Sequence, residues 1–477
     1  MMKKRTYLAA ALAATLAACS GGGSKSNVTP LTPNAPVVAA PTLKIVGIGD
    51  SLTAGVQSAA LMGANVAPNP IPGSPYPFIQ ATQPHGFWAL LWQQANGIDP
   101  SIPATSPLPL ILPPGLGTIL VPADAAGDLT SITTPCGGDN AIASSYGTAL
   151  NTRINAQTTP YDLAVPGQTV HEALFMTAPE NAQCAIAPGG PLSALAQLVG
   201  SESLNFYPIL GNYPVGTTQV AAAASLHAQV ATVWLGSNDL FKFIFAGGQL
   251  TPTDPGQMQA DMVKIIATLQ ASGAKVAVAN LAPVLSAATF VPSAAYVATF
   301  TALLTPKLGA AAGPTAQAIA AGLTANGLGP NSYLTISGVS KILAALPGQA
   351  KLGGGDAVPD AVAIAVNGPN QTGGGLNDAY NAAIASAVAQ TGATLVDINA
   401  LFKGAAAGIP INPPKCCSVQ YGGGLFSLDG IHPSNTGYGL VAQAFIATMD
   451  AKMGLSIPPI TSAQLFGIYQ TDLYAPH

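Results

Sequence analysis

Five short runs along the chain are apolar on both faces: Lys44 to Gly47, Tyr161 to Val165, Val230 to Leu235, Lys275 to Leu281 and Thr394 to Ile398. A strand with two apolar faces belongs inside a parallel sheet covered on both sides. Between these runs the apolar spacing becomes helical, over Phe87 to Ala95, Gln257 to Ala271, Leu376 to Gln390 and Thr436 to Met453. In the second of these, Met258, Met262, Ile265, Ile266 and Leu269 share one face. Strand alternating with helix predicts an α/β sandwich, and five strands joined by crossovers most simply form a flavodoxin-like parallel sheet.

The first strand breaks at Gly49-Asp50-Ser51-Leu52. A turn at the carboxyl end of a parallel strand can present one hydroxyl, and open α/β sheets place their sites at that edge. Far downstream, Asp429-Gly-Ile-His432-Pro supplies an imidazole with a carboxylate three residues before it, which is what a serine hydroxyl needs to become a nucleophile near neutral pH. Two more strand ends offer donors for developing negative charge: Leu163-Ala-Val-Pro-Gly167 and Gly236-Ser-Asn238-Asp239. Each stretch alone has a plainer reading. Gly-Asp-Ser also describes surface turns, and Asp429, Ser434 or Asn435 could simply cap the final helix. Asp50 and Thr53 are expected to brace the turn, and Asp397 to be structural. His85, His171, His227 and His477 lack any metal-ligand spacing, so they read as surface or packing residues; only His171, near Gly167, is a candidate for facing a substrate.

In their order, the four blocks resemble those of the GDSL or SGNH hydrolase family. The resemblance implies a three-layer α/β/α fold, with Ser51 as nucleophile, His432 as base and Asp429 as its partner. It also implies an oxyanion hole made by Ser51, Gly167 and Asn238. The implied reaction is hydrolysis of a carboxylic ester through an acyl-enzyme, with no metal or cofactor; lipid esters are among the candidate substrates. Transfer of the acyl group to an alcohol, deacetylation of a polysaccharide and non-catalytic binding by a surface lipoprotein are the alternatives. The core blocks lie in residues 43–477, read as one domain. Its excess length falls near 56–84, 97–159 and 284–375, Pro-, Gly- and Asn-rich segments expected to fold over the active-site edge as a cap. The chain beyond about Ser456, with Phe466, Tyr469 and Tyr474, is expected to wrap back onto the domain.

Composition changes this picture in two ways. Only 7% of residues are charged although 49% are apolar, and the net charge of -4 comes with no basic patch, which excludes a nucleic-acid binder. The surface is polar through amides and hydroxyls, as suits an exported protein. Lys3, Lys4 and Arg5 precede an apolar run from Tyr7 to Ala18, the form of a targeting segment over residues 1–18. Leu16-Ala-Ala-Cys19 resembles the lipobox of bacterial lipoproteins, which implies acylation of Cys19, a flexible tether over 19–42 and, with Ser20 rather than Asp following, sorting to the outer membrane. A plain secretory signal is the alternative. Cys136, Cys184, Cys416 and Cys417 then remain, an even number consistent with two disulfides; pairings that join Cys416 and Cys417 to Cys136 and Cys184 avoid a distorted ring between neighbours. Mass spectrometry of the mature protein is expected to find Cys19 at the N-terminus carrying lipid, and an unlipidated chain beginning after Cys19 excludes the anchor.

Overall fold

The computed structural model describes residues 41–475 except 59, 69–77, 112–115, 118–152, 178–208, 215, 346–350, 354, 372, 407 and 410–416. β1 (Ile45–Gly49) is buried throughout and runs into the single-turn helix α1 (Ser51–Ala54). Next come α2 (Phe87–Asn96), α3 (Val170–Phe175) and α4 (Gln219–Ser225). β2 (Val230–Trp234), α5 (Ser237–Phe245), α6 (Pro255–Ala271) and β3 (Lys275–Ala279) extend the sheet. The chain then leaves the sheet through β4 (Phe290–Pro292), α7 (Tyr296–Leu308), α8 (Ala312–Ala325), β5 (Tyr333–Thr335), α9 (Ile336–Ala344), β6 (Ala357–Val358) and α10 (Asp360–Asn367). It returns as α11 (Leu376–Thr391) and β7 (Thr394–Val396), followed by α12 (Ile398–Ala405), α13 (Asn435–Met453) and α14 (Ser462–Thr471).

The central sheet has the order β1-β2-β3-β7, with every pair parallel. Four strands make up this sheet among the described residues. The predicted second strand, Tyr161 to Val165, lies beside β1: Gly47 N donates to Tyr161 O (2.8 Å), and Leu163 N and Val165 N donate to Gly47 O and Gly49 O (both 3.0 Å), with Gly47 and Asp162 as a parallel bridge pair. The buried Gln219 amide of α4 also donates to both Gly49 O and Leu163 O, each at 2.7 Å, and joins the two segments at their carboxyl ends. On the outer side, the Asp162 side chain accepts from Ala164 N (3.1 Å), which closes that edge.

Helices cover both faces of the sheet. α2 packs against α13 on one side, while α4, α6 and α11 pack together on the other. The first layer turns on Phe87, whose ring stacks on Phe445 of α13 (4.7 Å between centroids) and meets Trp234 at the end of β2 edge-on (5.4 Å). Thr218, Asp254 and Ser434 cap α4, α6 and α13 with side-chain acceptors, so helix starts written in the sequence are realised as hydrogen bonds. Among the described residues no helix is long and apolar enough to cross a membrane.

The segment 284–375 is not a loop. β4, β5 and β6 form an antiparallel sheet, and Tyr296, Phe300, Leu304, Ala316, Leu323 and Leu334 belong to a core separate from the main one. The described parts of the two earlier insertions interlock through Gln83, which donates to Pro109 O (3.0 Å) and accepts from Ile111 N (2.7 Å). At the C-terminus α14 lies on α13, and the buried Asp472 accepts from Thr436 N and Oγ1 (2.7 and 2.6 Å). Cys417 is buried and disulfide-bonded, whereas Cys19, Cys136, Cys184, Cys416 and residues 1–40 lie outside the described residues. Phe87→Ala is expected to cost about 3–5 kcal/mol, the range for removing a fully buried aromatic ring, measured by urea unfolding.

Candidate functional site

The nucleophile turn is shaped by its neighbours. Asp50 caps α1: its Oδ1 accepts from Leu52 N (2.9 Å), and its own carbonyl accepts from Ala54 N (3.0 Å). Gly55, with φ of 80°, ends the helix after four residues. Ser51 is therefore the first helical residue, half-buried, with a backbone N–H for which the helix itself has no acceptor. Gly49 has no side chain because a Cβ there would collide with the side chain of Thr53 and lie 3.0 Å from Trp234 O. Thr53 contributes bulk rather than the expected hydroxyl brace, since its buried Oγ1 has no hydrogen-bond partner.

Two further strand ends meet this turn. Val165 to Gln168 form a turn closed by Gln168 N on Val165 O (3.2 Å), with Pro166 and Gly167 at its centre and a Gly167 φ of 91°. That positive φ is the requirement that selects glycine, and the Gly167 N–H lies outside the turn's own hydrogen bond. Asn238 lies in the first turn of α5, and its Nδ2 donates both to Asp50 Oδ2 (3.0 Å) and to Gln168 O (3.1 Å). One amide thus joins the loops that follow β1, the 161–165 segment and β2. An oxyanion would recruit this amide by sharing one of those hydrogens. Beside it, the buried Asp239 accepts from Val170 N (3.1 Å) and Thr253 Oγ1 (2.7 Å) and so fixes α3 against α5.

His432 and Asp429 sit on the loop before α13. Asp429 Oδ2 lies 2.7 Å from His432 Nδ1, while its Oδ1 accepts from the backbone N–H groups of Ile431 (2.8 Å) and His432 (2.9 Å) and from Ser427 Oγ (3.2 Å). With His432 only 13% exposed and Asp429 8%, solvent screens the pair little. This loop and the start of α13 are sewn to the chain that follows Ser51. Ser58 N donates to Ser427 Oγ (2.8 Å), Gln57 Nε2 to Asn435 Oδ1 (2.8 Å), and Tyr438 Oη to Val56 O (2.8 Å). The charge of His432 also reaches Asp50, the neighbour of Ser51.

The carboxyl groups divide by environment. Burial pushes Asp50 up to about 7, despite the Leu52 N–H and the charge of His432, with Asp239 adding to the rise. Burial likewise raises Asp239 to about 6 against the bonds from Thr253 and Val170. Asp429 is buried too, but the charge of His432, the bond to its ring and the two backbone N–H groups outweigh desolvation and hold it below the ordinary carboxylate value.

Residues that sequence reasoning passed over include Ser427, Gln57 and Gln219, amides and hydroxyls whose partners lie far away in the chain. Asn435 does more than start a helix, since its Nδ2 also donates to Gln80 Oε1 (3.0 Å). His171 is half exposed, and its Nδ1 lies 2.8 Å from the buried Asp261 on α6, an arrangement that ties the ring to α6. His85 is half-buried beside Gln80, with its basicity lowered by desolvation, and His227 is exposed. Asp397 caps α12 and accepts from Asn280 Nδ2 (2.8 Å). His477 lies outside the described residues. Among the described residues no cluster of His, Cys, Asp and Glu could hold a metal.

The two kinds of carboxyl carry opposite pH signatures. Asp50 keeps its proton to about 7 when folded, so its contribution to stability declines as pH rises from the unfolded value, about 4, towards 7. Asp429 stabilises the fold above its unfolded value, about 4, and that stabilisation is lost as pH falls through the lower folded value. The gap in urea midpoint between the wild type and Asp429→Asn is accordingly expected to narrow from pH 5 to pH 3.

No curated protein and no solved structure matches the chain. A sequence profile of the GDSL-like Lipase/Acylhydrolase family matches residues 45–445, from the first residue of β1 into α13, and so takes in all four blocks. That family points to acyl hydrolysis of the esterase or lipase type. With this match spanning most of its length, the chain belongs to the GDSL-like lipase/acylhydrolase family.

Proposed function

We propose that the protein hydrolyses carboxylic esters through a covalent acyl-enzyme formed on Ser51. The observation that carries this reading is the His432–Asp429 pair, held at 2.7 Å on a loop sewn to the chain behind Ser51. In the first step Ser51 Oγ bonds to the ester carbonyl carbon as its proton passes to His432 Nε2. Asp429 meanwhile accepts from Nδ1–H, fixes the ring tautomer and stabilises the imidazolium. The carbonyl oxygen, now carrying the charge, takes hydrogen bonds from the backbone N–H groups of Ser51 and Gly167 and from the Asn238 amide. Collapse of this intermediate breaks the bond to the alkoxy oxygen, and the alcohol leaves with the proton from His432. Water then repeats the sequence on the acyl-enzyme and releases the acid.

Asp50 and Asp239 act in this reading as positioning residues, the first by holding Asn238 and the second by holding the start of α3. The Leu16–Cys19 pattern supports a lipid-anchored protein of the cell envelope, and Ser20 rather than Asp after Cys19 supports sorting to the outer membrane. Activity is expected on a p-nitrophenyl ester series from acetyl to palmitoyl. Ser51→Ala should abolish it, and Asn238→Ala should lower turnover on the order of 10²- to 10³-fold. Activity retained in purified Ser51→Ala, or absent from the wild type on every ester, overturns the reading.

A further inference from the structure

Between Asp261 and Asp356 the chain contains no acidic residue. Within that stretch, α7 and α8 form an antiparallel hairpin whose sole ionic side chain from 293 to 332 is Lys307, near the bend between the helices. Helices on a protein surface ordinarily bury one apolar stripe and turn charged residues outwards. This pair does the first without the second. α7 buries Tyr296, Phe300 and Leu304, and α8 buries Ala312, Ala316 and Leu323, but the remaining surface carries Val297 (38% exposed), Leu303 (47%) and Leu308 (41%). Exposed alanines accompany them at 298, 302, 310, 311 and 318.

Three of the hairpin's threonine hydroxyls are turned inwards. Thr305 Oγ1 donates to Thr301 O (2.7 Å), Thr315 Oγ1 to Ala311 O (2.8 Å) and Thr324 Oγ1 to Ala320 O (3.2 Å), so each donor is spent on the backbone four residues earlier. This bonding slightly disfavours a helix in water but supplies the hydroxyl with a partner in an apolar medium. At 13 and 14 residues the helices are too short to span a bilayer, which requires about 20. An apolar surface with inward-bonded hydroxyls, one lysine and no acidic group to be repelled by phosphate suits the interfacial layer of a lipid membrane.

The base of the hairpin is tied to the site. Thr289 N donates to Gly430 O (2.8 Å), within the loop between Asp429 and His432, and Gly430 has φ of 68° with room for no side chain, since a Cβ would lie 2.5 Å from Thr289 N. Phe290, one residue further, stacks with Phe241 and Phe245 of α5, the helix that carries Asn238. Ser293 N bonds Ser332 O (2.9 Å) and closes the hairpin's neck.

We propose that the α7–α8 hairpin is a lipid-docking element that lies in the membrane interface through Val297, Leu303 and Leu308, with Lys307 at phosphate level. The proposal stands independently of the ester-hydrolase reading, because it concerns where the surface sits and not what Ser51 does. If both hold, the site loop meets its ester at a lipid surface.

Hydrogen exchange of the full chain, with and without vesicles of phosphatidylethanolamine and phosphatidylglycerol, tests it without relying on activity. Amides of 296–325 are expected to exchange about tenfold more slowly with vesicles, and the triple change Val297→Ser, Leu303→Ser and Leu308→Ser to remove most of that slowing. Ile102→Ser, at another exposed apolar position, should leave it intact. An unchanged melting temperature in the triple variant separates lost docking from lost folding. Because attachment through the N-terminus alone would leave 296–325 unprotected, no change there overturns the proposal. So does protection that rises with protein concentration in the absence of vesicles, which would assign the surface to a second copy.

Discussion

A single buried carboxyl, that of Asp50, holds the site together. One oxygen fixes the turn that presents Ser51, and the other fixes the amide of Asn238, which in turn grips the carbonyl of Gln168. Three loops from three neighbouring lines of the sheet therefore converge on one side chain. Their convergence depends on the parallel order of β1 and β2, which puts both carboxyl ends on one edge. Burial makes these bonds strong and makes the charge costly, and the result is a carboxyl whose proton equilibrium lies near neutrality.

The fourth part of the site arrives from the far end of the chain. Val56, Gln57 and Ser58 bond with Tyr438, Asn435 and Ser427, so the loop bearing Asp429 and His432, together with the start of α13, is attached to the chain that follows α1. Contacts of such separation are paid for in loop-closure entropy and form after local structure. Asp472 strengthens the arrangement from behind by capping α13 at Thr436. The imidazole is thus positioned by the closing of the whole domain.

The insertion between β3 and α11 departs from that economy. It has its own small sheet and core, yet Leu285, Val358, Val362 and Val366 also enter the main core, and Phe290 on α5 and Thr289 on Gly430 are two further contacts. Both contacts fall on elements that carry site residues.

Much of this was legible in the sequence. The two-faced apolar runs marked the core strands, the 3.6-residue spacing marked α2, α6, α11 and α13, the Gly-Asp-Ser block marked the end of β1, and the Asp-Gly-Ile-His block marked the approach to the last long helix, because these signals are local and depend on periodicity and turn chemistry. The Tyr161 to Val165 run keeps a strand's bonds to β1, but its meeting with Gln219, in a helix about fifty positions away, could not be read from the local sequence. Likewise, no local pattern distinguishes Ser427 from any other serine or predicts that Thr53 would leave its hydroxyl unbonded. The sequence by itself determined which residues could do chemistry and which backbone positions only glycine could occupy. Tertiary structure decided which donors are free, which carboxyl holds its proton more tightly and which less, since burial and long-range hydrogen bonds exist only once the chain has closed on itself.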